Sequence, residues 1–171
     1  MNTIIIILLV SVFIIPLFVW KEKYGIQPSI SDNFRKLQEE YGKGSLRPWF
    51  FWLWLMGVGA LFHAYFLNGL SFLTMVLLML VGAAAEYWKS KHVEIPHIVG
   101  ATGGILAGYV TVIVHAVQVG HTITGVTGFI IGGLLALIIE KKGGKKRTYW
   151  LEVVQFGTII LIVTLIDFVY V

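Results

Sequence analysis

Five histidines and nine acidic residues are the principal metal-ligating and proton-moving side chains of this 171-residue sequence, which has no cysteine. Imidazole nitrogen and carboxylate oxygen both ligate zinc, and a zinc-bound water is a nucleophile near neutral pH. The candidates fall into two sets. One set holds Ser29, Ser31, Asp32, Glu86, His92, His97 and Glu152. In it His97 and His92 are candidate zinc ligands, and Asp32, Glu86 and Glu152 are candidate catalytic carboxylates, as ligand or general base. The other set, His63, His115, His121 and Asp167, supplies four candidate ligands of its own. Neither contains an H-E-x-x-H motif. His92 and His97 are five apart with Pro96 between them, and His97 has no second histidine at i+3 or i+4. Each residue also has a plain structural account. A histidine at the end of a membrane helix hydrogen-bonds a neighbouring helix or sits at the interface. Glu152 and Asp167 can reach water from their helix ends. Glu86 sits in an Ala-Ala-Ala-Glu-Tyr-Trp boundary.

These sets exist only because long apolar elements place them at two depths. Hydrophobic residues make up 57% of the chain and charged residues 13%, with a mean hydropathy of +0.84. Soluble domains carry about 25% charge. One soluble core of this size would leave too few polar residues to cover it. The composition excludes a soluble enzyme, a nucleic-acid binder and a disordered tail. It predicts an all-α, polytopic membrane protein in a single integral domain. A bilayer needs about 20 apolar residues per helix. Six spans are predicted, over residues 3–20, 49–67, 70–87, 95–117, 122–139 and 149–170.

The net charge of +4 is less informative than its distribution. All 13 Lys and Arg fall in three connections: after span one, between spans three and four, and between spans five and six. The positive-inside rule makes those connections cytoplasmic and both termini external. Span one has no Lys or Arg before its apolar run, which reads as an uncleaved anchor rather than a signal peptide. The basic loops suit anionic headgroups, so membrane lipids are the expected partners and nucleic acid is not. On this topology the set around His97 lies at the inner face. His115, 18 residues later, lies about 27 Å away at the outer face.

The cytoplasmic loop 21–48 contains a predicted interfacial helix. Ser31 or Asp32 can N-cap it, and Phe34, Leu37 and Tyr41 share one face. Gly42 and Gly44 end it. In span four Gly100, Gly104 and Gly108 recur every fourth residue, and in span five Gly128 and Gly132 do the same. Such spacing lets helix backbones approach closely, and predicts that spans four and five form a tight central hairpin.

Two short stretches resemble a known group. Pro28-Ser29-Ile30-Ser31-Asp32 follows span one, and His97-Ile98-Val99-Gly100-Ala101 opens span four, after Val81-Gly82-Ala83-Ala84-Ala85-Glu86. This order resembles small bacterial and phage multi-span proteins of unassigned function, over residues 28–108. That resemblance, with the charge rule, implies a bacterial inner-membrane location. A fainter similarity is to ceramidase-like and progestin-receptor-like membrane proteins, which hold zinc with Ser, Asp and His at the cytoplasmic helix ends and hydrolyse lipid amides. It implies His97 as a ligand with Asp32 and Ser31 as partners. Those proteins have seven spans and a His-x-x-x-His in the last, whereas span six here has no histidine. The Ile-Ser-Asp segment also resembles that of a six-span family linked to lipid remodelling.

Three functions follow. The first is a bundle that binds lipid or a partner. The second is a metal-dependent lipid hydrolase at the inner leaflet. The third is a small transporter or channel with a polar path along Thr102, Thr111, Thr124 and Thr127, assembled as a homo-oligomer.

Overall fold

In lipid the backbone has no water to bond, so each long apolar run must satisfy its own N–H and C=O groups as a helix. The computed structural model describes residues 2–42, 49–84, 91–142 and 144–169, and every regular element among them is helical. The order is α1 (Asn2–Tyr24), α2 (Asp32–Tyr41), α3 (Trp49–Phe66), α4 (Gly69–Ala83), α5 (Lys91–Gln118), α6 (Thr122–Lys142), a 3-10 turn (Gly144–Lys146) and α7 (Arg147–Val169). Five of these helices, α1, α3, α5, α6 and α7, are long and apolar enough to cross a membrane. The helix in the place of predicted span three, α4, has 15 residues, or about 22 Å of rise. Residues 85–87 of that predicted span, with Glu86, lie outside the described residues.

Local chemistry sets the ends. α1 continues through Lys21 to Tyr24, past the predicted limit, because charge does not stop a helix of good helix formers. Gly25 stops it at a φ of +69°, with its N–H closing onto the Lys21 carbonyl at 2.9 Å. α4 starts with a capping box: Ser71 N–H donates to Asn68 Oδ1 at 2.8 Å, and Asn68 N–H to Ser71 Oγ at 3.2 Å. α5 begins at Lys91, earlier than predicted, and takes Pro96 inside it. His92 and His97 therefore ride on one helix. Five residues at about 100° each turn their side chains to different faces, and His92 is exposed while His97 is buried.

The predicted interfacial helix is α2, and it packs under the bundle rather than lying free on a surface. Asp32, Asn33 and Leu37 are buried. Phe34 meets Phe51 of α3 with ring centroids 5.9 Å apart. At its far end Lys23 Nζ donates to Glu40 at 2.6 Å, and Tyr24 OH donates to the other Glu40 oxygen. Gly42, at a φ of +76°, terminates it.

The glycine run of α5 does not form the expected hairpin interface with α6. A Cβ on Gly100 would lie 2.7 Å from the Leu77 carbonyl of α4, and Gly104 faces Leu78 of the same helix. Gly108 sits against Ile159 of α7 and Thr74 of α4. On α6 Gly128 faces Ile162 of α7, Gly125 meets Ala116 of α5, and Gly132 sits against Tyr109 of α5 and Thr158 of α7. The turn at Val119–Gly120 joins the end of α5 to the start of α6, and α6 then packs against Tyr109 of α5, through Phe129 and Gly132, and against α7. Gln155 Nε2 fixes that contact by donating to the Gly132 carbonyl at 2.9 Å.

Neighbouring long helices run antiparallel, so the bundle has two distinct ends. At one end Trp20 of α1 meets Phe51 of α3, Ala84 meets His97, and Arg147 pairs with Glu140. At the other, Tyr65 meets both Asp167 and His115. Every described Lys and Arg belongs to the first end: Lys21, Lys23, Arg35, Lys36, Lys91, Lys141, Lys142, Lys145, Lys146 and Arg147.

Candidate functional site

At the basic end the chain leaves α1 and turns under the bundle before α2 begins. Gln27, Ser29, Ile30, Ser31, Asp32 and Asn33 are all buried there. Buried backbone polar groups need partners, and this segment finds them on its own side chains and on α7. The Asp32 carboxylate accepts from Ser29 N–H and Ser29 Oγ, both at 3.1 Å, and Asp32 N–H donates to Ser29 Oγ at 3.2 Å. The reciprocal pair expected at a helix start is thus made by Ser29, two residues earlier than the Ser31 N-cap, whose side chain makes no capping bond. The second Asp32 oxygen faces Arg35 at 3.5 Å.

Glu152 stitches this segment to α7. Its carboxylate accepts the Ile30 N–H at 2.6 Å. One turn earlier Tyr149 N–H, an unpaired donor of the first helical turn, donates to the Pro28 carbonyl at 2.9 Å. His97 comes in from α5. Its Nδ1 lies 3.1 Å from the Ala84 carbonyl, which can only accept, so Nδ1 carries the proton. His97 thereby caps the C-terminal end of α4.

Between these groups is a groove of about 360 Å³. Pro28, Ser29 and Asp32 form its floor, Glu94, His97, Ile98, Ala101, Thr102 and Ile105 of α5 one wall, and Thr148 and Glu152 of α7 the other. No residue of α6 lines it. Ala101 and Glu152 also border a void of about 20 Å³ under the Ile30–Ser31 segment. A second void of similar size shares Val58, Leu78 and Phe156 with the first. Both are walled almost wholly by apolar groups, the kind of cavity that stays dry.

The inner set of expected residues is therefore brought together in part. Asp32, His97 and Glu152 share the groove. His92 is exposed on another face of α5, and Glu86 lies outside the described residues. Among the described residues no group of three His, Asp or Glu side chains is placed to hold one metal ion. The described donors therefore do not form a zinc site.

The outer set does not converge on one point: Asp167 and His115 share Tyr65, while His63 and His121 make separate contacts. His63 Nδ1 lies 3.0 Å from Ser71 Oγ, whose own proton goes to the Asn68 carbonyl, so His63 donates. Tyr65 OH donates to Asp167 at 2.5 Å. His115 stands edge-on to the Tyr65 and Phe66 rings. His121 N–H closes the turn onto the Ala116 carbonyl at 2.7 Å. The expected threonine path is also dispersed. Thr111 is buried and bonds back to the Ala107 carbonyl at 2.7 Å, while Thr102 and Thr127 are exposed.

Sequence reasoning did not single out Glu94 or Thr148 as groove residues, or Tyr65 as the partner of Asp167. Glu94 carried a signal, as one of nine acidic residues in the chain and one that opens a span. Tyr65 carried none. Compared with known proteins, the chain matches no family, no curated protein and no solved structure. The motifs at 28–32 and 97–101 stand on their geometry alone, which is to meet at one groove.

Proposed function

We propose that this chain is a six-span membrane protein, basic end in the cytoplasmic leaflet, that binds a membrane lipid in the groove between α5 and α7. The groove carries the reading. Its lining offers carboxylates, hydroxyls and an imidazole together with the apolar Ile98, Ala101 and Ile105. A site with a polar floor and apolar wall suits an amphiphile whose head sits at the interface and whose chain lies along the helices. Exposed apolar residues flank it on the same helix at Val99 and Leu106.

The six-span count is supported by how α4 lies. It spans the length between Trp52 and His63 of α3, since Gly82 faces Trp52 and Ser71 faces His63. It also spans from His97 to Gly108 of α5. If α3 and α5 cross, α4 crosses with them. The orientation is supported by the concentration of cations at one end.

The test is lipid retention after purification in mild detergent. Thr102→Trp puts a large ring into the groove from an exposed position. Val126→Trp adds the same ring on the exposed face of α6. Mass spectrometry of the co-purified lipid is expected to show loss in Thr102→Trp and retention in Val126→Trp. Equal retention in both overturns the assignment of the groove.

A further inference from the structure

The lining of the groove differs in chemistry from its surroundings. The end of the bundle that holds it carries every described Lys and Arg, yet none of them lines the groove. Three carboxylates do: Asp32, Glu94 and Glu152. Asp32 is held by Ser29 and faces Arg35, and Glu152 is held by the Ile30 N–H, so these two are fixed in place. Glu94 is exposed at the start of α5 and makes no ion pair among the described residues. Exposed cations neighbour the lining residues along the chain: Lys91 one turn before Glu94 on α5, and Lys145 and Lys146 just ahead of Thr148.

Acid inside and base at the rim is the complement of a zwitterion carrying its cation at the tip and its anion nearer the chain. We infer that the occupant is a phospholipid with a primary-amine headgroup, its ammonium among the groove carboxylates and its phosphate against the cationic rim. This rests on the lipid-binding reading above and narrows it to a headgroup class. A primary ammonium has three N–H donors for carboxylate oxygens. A quaternary ammonium carries the same charge and no donor. An anionic headgroup meets the rim but is repelled by the lining.

The experiment delipidates the purified full chain and titrates it, by native mass spectrometry, with three phospholipids of matched acyl chains. Their heads are phosphoethanolamine, phosphocholine and phosphoglycerol. Soluble phosphoethanolamine is a fourth ligand. The ethanolamine lipid is expected to bind about tenfold tighter than the choline lipid, the equivalent of one charge-assisted hydrogen bond. Glu94→Gln, at an exposed site that the fold does not need, removes one carboxylate and is expected to weaken the ethanolamine lipid more than the choline lipid, cutting that preference about threefold. Equal affinity for ethanolamine and choline lipids overturns the inference and leaves the lipid reading standing. So does tightest binding of the glycerol lipid, which would mean that the rim alone acts. Soluble phosphoethanolamine binding as tightly as its lipid also overturns it, because the ligand would then be a free amine. Binding of none of the three lipids overturns the lipid reading itself.

Discussion

At the scale of single residues, the clamp between α1 and α2 depends on ionisation. Lys23 donates to Glu40 and to Tyr41 OH, and Tyr24 OH also donates to Glu40. These bonds, that from Lys23 foremost, pull the Glu40 carboxyl down to about 2 from its usual value of 4.5. A depressed carboxylate favours the docked state above its undocked value and loses that contribution as pH falls through the docked one. α2 is therefore expected to stay protected from hydrogen exchange at pH 5 and to lose protection between 4.5 and about 2. Glu40→Gln should flatten that dependence, and so should high salt, because the site is open to water. Unchanged acid behaviour in Glu40→Gln would show that Glu40 does not hold the clamp. The presence of α2 was legible in the sequence, since Phe34 and Leu37 fall on one face of a polar stretch. Its clamp was not. Lys23 and Glu40 are 17 residues apart, and nothing local says that the chain doubles back between them.

At the scale of elements, the glycines show where pattern reading fails. Helices that face lipid are apolar all round, so they lack the one-sided pattern that tells a soluble helix which face to bury. Small residues every fourth position marked close approach correctly but did not say to what. Gly100 is closed in by α4, while Gly133 of α6 has open space. Gly100→Ala should force α4 and α5 apart and cost about 1–3 kcal/mol. Gly133→Ala should fall within about 0.5 kcal/mol of the parent. Thermal unfolding in one detergent compares them, and equal melting would mean that the α4–α5 contact is looser than described. The same blindness to faces explains the groove. Asp32, His97 and Glu152 could be grouped by depth, but depth alone also grouped His92 with them. It took the phase of α5, set by an earlier start at Lys91, to turn His92 away.

At the scale of the whole molecule, the lack of native cysteine makes topology directly testable. Gly69 and Lys145 are exposed and lie at opposite ends of the bundle. Single cysteines placed at them should react on opposite sides, Gly69→Cys with an impermeant maleimide on intact cells and Lys145→Cys only after permeabilisation. Three helices separate the two sites. If α4 did not cross, only two crossings would remain and both cysteines would react from one side. The reverse labelling would invert the orientation. One last asymmetry was present in the primary structure throughout. Trp20, Trp49, Trp52, Trp54 and Trp150 all stand at the basic end, and the turns around 67–69 and 118–121 have no tryptophan. Among the described residues the tryptophans thus form an optical label on one side only. Their fluorescence reports the surroundings of that end. Trp150 is exposed on α7 about half a turn from the groove residues Thr148 and Glu152, so its emission would register the lipid or water beside that helix without any added dye.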